Sequence, residues 1–131
     1  MGLGMLIKEL DLTDTQKKSI AEVLTKYRDT MKAMADQRTT AHEELRDAII
    51  ADPMIETDVR QASQELASVM EEMNVLKAQV ASEIRPLLTA EQIEQVKTKR
   101  SERQARMEER REEMSTRIDK VLEDWLALEV E

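Results

Sequence analysis

The chain has 131 residues, enough for one domain, yet 37% of them are charged, 2% are aromatic and none is Phe, which excludes a thick ring-filled core. A net charge of −8, with Tyr27 and Trp125 as the only aromatics, argues against nucleic-acid binding, which needs clustered basic charge and stacking rings. Without Cys there is no disulfide or thiol chemistry, and without a run of roughly twenty apolar residues there is no expectation of membrane insertion.

From the N-terminus, the opening MGLGM has no basic, apolar start of the export-signal kind, and it reads as a replaced leader. Gly occurs only at positions 2 and 4 and Pro only at 53 and 86, so the stretch between is poor in residues that punctuate sheets and tight turns. Long helices are therefore expected. LTDTQ at residues 12 to 16 supplies the first helix start. A Thr13 hydroxyl can accept from the Gln16 N–H while the Gln16 side chain reaches back to the Thr13 N–H, which is a capping box.

Downstream, Ile20, Leu24, Tyr27, Met31, Met34, Arg38, Ala41, Leu45 and Ala48 advance in alternating steps of four and three. That period of about 3.5 is a coiled-coil seam, interrupted only by Arg38. The spacing predicts a helix over about 13–51, closed by the turn ADP, because a residue before Pro avoids helical angles. A second seam, Val59, Ala62, Leu66, Val69, Met73, Leu76, Val80 and Ile84, predicts a helix over about 56–86 ending at Pro86. Two such helices joined by a short turn form an antiparallel hairpin.

LTAEQ at residues 88 to 92 repeats the start signal with Thr89 and Gln92, and Leu88 and Ile93 stand where a hydrophobic staple would form. It predicts a third helix over about 89–128. Its first half is highly charged, with Glu102–Arg106, Arg106–Glu109 and Arg110–Glu113 at helical spacings, so the basic run from Lys97 to Arg111 reads as a solvated face. Apolar periodicity then returns as Met114, Ile118, Val121, Leu122, Trp125 and Leu128, which calls for a second surface, either a partner subunit or the first helix. The fold class expected is all-α: a single domain over 1–131, a long hairpin plus a third long helix, intertwined as a homodimer because the seams are too narrow to satisfy every apolar residue within one chain.

LDLTDTQKKSIAEVLTKY followed by LLTAEQIEQVKTKR resembles the paired L-T-x-x-Q signature of the Spy/CpxP family, over about residues 9 to 100. The resemblance implies a periplasmic, all-helical stress protein that dimerises through its hairpins into a shallow cradle. Chaperone members hold unfolded clients without ATP; CpxP-like members also restrain a sensor kinase, which makes such a kinase a further expected partner. The motif residues carried over are Leu12, Thr13, Gln16, Leu88, Thr89 and Gln92, with a structural role as helix caps.

Candidate client-contact residues are Met31 and Met34, beside the first seam, and Ile50, Met54 and Ile55 at the hairpin turn. Thioether side chains adapt to varied partners, although core filling is the ordinary role of a Met on a seam. The alternative function, implied by the ZraP-like and CnrX-like branches, is zinc or heavy-metal binding. Those branches are rich in His, whereas this chain has His42 alone, near Glu43 and Asp47. Zinc takes four ligands, at least three of them from protein, so no metal site and no cofactor are assigned. Nor is an enzyme: the chain lacks a phosphate loop, a nucleophile elbow and an oriented nucleophile–base pair.

Overall fold

The computed structural model describes residues 8–130; the MGLGM start lies outside the described residues. Helix α1 spans Asp14–Ile50, α2 spans Glu56–Ile84 and α3 spans Ala90–Leu126, with a single 3₁₀ turn, Arg85–Leu87, between the last two. The described residues contain no strand, so the fold is all-α as the periodicity predicts. The helix bounds fall within two residues of those predicted, and the chain divides into two compact units, one ending at Thr89 and the other starting at Ala90.

The first unit is the antiparallel hairpin of α1 and α2. Every residue of both predicted seams is buried or half-buried, Arg38 included, and most residues between them face solvent, with Val23, Ala35, Met70, Ala81 and Glu83 half-buried beside the seams. The most enclosed positions are Ile20, Ala41, Ala62, Leu76, Val80 and Ile84, and Ile84 is 1% exposed. Small Ala41 and Ala62 sit among the buried positions towards the tip, while larger aliphatic residues collect towards the base. The core is thus a strip between two helices and thickest where the chain enters and leaves the hairpin. Each helix of the hairpin is about 45–55 Å long at 1.5 Å per residue.

At the tip, α1 ends as Ala51 turns extended (φ −61, ψ 143), and the Asp52–Pro53 peptide is cis. Helix α2 starts without a side-chain cap at Ile55, but Glu56 and Asp58 place negative charge in its first turn, which favours the dipole there. At the base, α2 stops at Ile84, two residues before Pro86. The proline then occupies the first turn of the 3₁₀ segment, where an N–H would have no partner within that turn. Leu88 leaves that turn extended and buried, and its N–H closes on the Arg85 carbonyl at 3.2 Å.

The second unit is α3 with its closing turn. Along it, Lys97–Glu94, Lys99–Glu102 and Lys120–Asp124 approach within 3.3, 3.7 and 3.5 Å. The pairings expected of Glu102, Arg106 and Arg110 are not made, since Glu102 faces Lys99 instead. All of these side chains are solvated, where competing pairings differ little in energy.

Candidate functional site

At the base of the hairpin the first motif folds as its letters dictate. The Gln16 N–H donates to Thr13 Oγ1 at 3.1 Å and the Thr13 N–H donates to Gln16 Oε1 at 3.0 Å, a complete capping box at the start of α1. Gln16 has a second task, because its Nε2 donates to the Leu87 carbonyl oxygen at 3.0 Å, seventy-one residues on. That carbonyl belongs to the residue directly before the second motif. Leu12 is half-buried, Leu88 is buried, and Thr89 stands immediately before the first residue of α3. Gln92, the matching glutamine of the second copy, is also buried, at 9% exposure. The motif is therefore architectural in the first unit: it starts one helix and fastens it to the exit of the next.

Further in from the base, Lys26 and Tyr27 of α1 meet Glu83 of α2. Lys26 Nζ donates to Glu83 Oε1 at 2.6 Å and lies 5.2 Å from the centre of the Tyr27 ring, within cation–π range. The Lys26 hydrogen bond holds the Glu83 carboxyl below its usual range, with the Tyr27 hydroxyl adding to the effect. In turn Glu83 raises both Lys26 and Tyr27 above their ordinary values. Glu83 Oε2 is shielded from solvent with no donor at full hydrogen-bonding geometry, so the phenol acts on the carboxylate from a looser approach. Sequence reading did not find this cluster. Its one signal is position: Lys26 and Glu83 flank the seam residues Tyr27 and Ile84, as charged pairs flank coiled-coil cores.

Halfway along the hairpin, an open groove of about 350 Å³ is bordered by Asp36, Thr40 and Glu44 of α1 and by Glu65 and Val69 of α2. Glu44 and Glu65 oppose each other across it. Hydrogen bonding and repulsion from Glu65 push the Glu44 carboxyl above its usual range. No group of three or more His, Asp or Glu residues able to hold a metal ion forms among the described residues, and His42, Glu43 and Asp47 all lie exposed on α1.

The candidate client-contact residues divide into two sets. Met31 and Met34 are half-buried in the α1 seam, consistent with packing. At the tip, by contrast, Ile50 is 72% exposed, Met54 59% and Ile55 49%, and Ile49 joins them at 56%. Four large exposed apolar side chains thus lie within seven residues, at the end of α1 and in the turn that follows it. From sequence, Ile49 stands off the seam as an apolar residue without a partner inside the monomer, expected to be covered by dimerisation rather than by a client.

A family model described as LTXXQ motif family protein matches residues 1–100. The chain belongs to the LTXXQ family. The match agrees with the Spy/CpxP resemblance read from Leu12, Thr13, Gln16, Leu88, Thr89 and Gln92. No curated protein and no solved structure matches the chain. Among the described residues of this LTXXQ protein no helix is long and apolar enough to cross a membrane. The family match ends at residue 100, within α3, so the apolar stripe that starts at Met107 lies beyond it.

Proposed function

We propose that this LTXXQ protein is a periplasmic, ATP-independent chaperone that works as a homodimer and holds unfolded chains by weak, dispersed apolar contacts. The observation that carries the reading is the hairpin tip, where Ile49, Ile50, Met54 and Ile55 are each 49% exposed or more. Side chains of that size in contiguous exposure favour a partner surface over water. A flexible Met among β-branched residues suits partners of no fixed shape. Family membership supports the periplasmic location and the stress-protein class.

The hairpin itself supplies rigidity. Its base is fixed by the Gln16–Leu87 bond and the Lys26–Glu83 pair, so the tip is presented on a stiff stalk rather than on a loose loop. Fluorescence anisotropy with a labelled, permanently unfolded polypeptide tests the reading. Saturable binding without ATP, weakened by Ile50→Ser and Met54→Ser together, is the expected result; no binding at any protein concentration reached would refute it.

A further inference from the structure

The second half of α3 carries a stripe of large apolar side chains that the hairpin tip does not explain. Met107 is 57% exposed, Met114 60%, Ile118 51% and Trp125 67%, with Val121 half-buried. Together with Arg111 they step by four and three along the helix, the spacing of a coiled-coil seam. The only Trp of the chain is thus two-thirds in water, although buried Trp and Arg are the residues that most often anchor interfaces.

We infer that this stripe is the joint between two copies of the chain, paired as an antiparallel coiled coil centred on Thr116. The inference deepens the homodimer of the proposed function and rests on that dimer, not on client binding. Centring the pairing at 116 lays Trp125 against the partner subunit's Met107 and Ile118 against the partner subunit's Met114. It does so twice by symmetry, with Arg111 beside Val121 of the partner subunit in the layers between. Six layers form over about 27 Å of helix, all within Ala90–Leu126. A thioether against an indole is a favourable contact, and it covers the most exposed ring in the molecule.

Charge decides the direction. In the antiparallel register Arg110 flanks the seam opposite the partner subunit's Asp124, again twice, and Arg117 is the one charged residue that meets its own copy at the axis. Asp124 already lies 3.5 Å from Lys120 in an exposed pair, and a carboxylate can accept from both cations. A parallel pairing instead stacks Arg111 on its own copy inside the seam and loses the contact between Arg110 and Asp124. A like-charged contact buried in the core, with no ion pair at the rim to offset it, disfavours it. Residues 110 and 124 of one helix lie about 21 Å apart, too far to pair within a chain.

Sedimentation equilibrium at low salt tests the joint. The wild type is expected at twice its 15.1 kDa chain mass, and Ile118→Glu at the single-chain mass with unchanged hairpin helicity, a loss of affinity of about a hundredfold. Asp124→Arg alone should weaken the dimer about tenfold, and Arg110→Asp added to it should restore the affinity, because the ion pair is then reversed rather than lost. A dimer that survives Ile118→Glu overturns the joint while leaving the homodimer standing. A dimer unchanged or strengthened by Asp124→Arg overturns the antiparallel direction, since Asp124 would then have no Arg110 of the partner subunit to lose. A wild type that sediments as a single chain removes both the joint and the dimer.

Discussion

The Gln16 side-chain amide donates to the Leu87 carbonyl across seventy-one residues of chain, at 3.0 Å. Through the same side chain Gln16 also accepts from the Thr13 N–H. One residue therefore starts α1 and closes the hairpin base, and this explains physically why a glutamine and not a glutamate serves at this position. Glutamate makes an equally good capping box but has no N–H to offer the carbonyl.

The corresponding prediction separates the two tasks. Gln16→Glu keeps the cap and loses the donor to Leu87, and it should cost about 1–2 kcal/mol by leaving a part-buried carbonyl unpaired beside a carboxylate. Thr13→Ala removes the cap acceptor and should cost about 1 kcal/mol. Urea unfolding of both variants checks these values, and a Gln16→Glu midpoint equal to wild type would remove the tertiary role assigned to the motif.

Much of this fold was legible in the sequence because its signals are local. The 3.5-residue period set both seams, from Ile20 to Ala48 and from Val59 to Ile84, and the structure buries or half-buries every member. Thr13 and Gln16 announced their helix start because a capping box is closed within four residues. The Gln16–Leu87 bond and the Lys26–Tyr27–Glu83 cluster were not legible, since they depend on which residues the hairpin brings face to face. The ion pairs of α3 escaped for a different reason: solvated lysines and arginines choose among several carboxylates at nearly equal energy.

Packing makes the next prediction. Ile84 is 1% exposed at the thick end of the core, so Ile84→Ala should cost about 2–5 kcal/mol through lost burial and the cavity left behind. Ile50, 72% exposed at the tip, should tolerate the same change within about 0.5 kcal/mol. Thermal melts of the two variants side by side measure the contrast.

The charged groups of the hairpin give opposite pH trends. Glu83 titrates below its usual 4.5 in the folded chain, so its stabilising contribution is present above pH 4.5 and is lost as pH falls through the lowered value. Glu44 titrates above 4.5 because of Glu65, so that pair begins to destabilise the hairpin as pH rises past 4.5 and does so fully once pH exceeds the raised value. Glu83→Gln should therefore lower the melting temperature at pH 7 and flatten its fall in acid. Glu65→Gln should raise the melting temperature at pH 7 and leave it nearly unchanged at pH 4. Both effects are small, since Glu44 is exposed and Glu83 keeps 35% of its side chain in water, and melts across pH 3 to 8 distinguish their signs.

Light scattering of a thermally unfolding client protein, without ATP, tests the central claim most directly. At severalfold excess the protein is predicted to suppress aggregation. The triple variant Ile50→Ser, Met54→Ser, Ile55→Ser should lose most of that suppression while melting at the wild-type temperature. Unchanged client aggregation in the presence of excess wild-type protein would contradict the account.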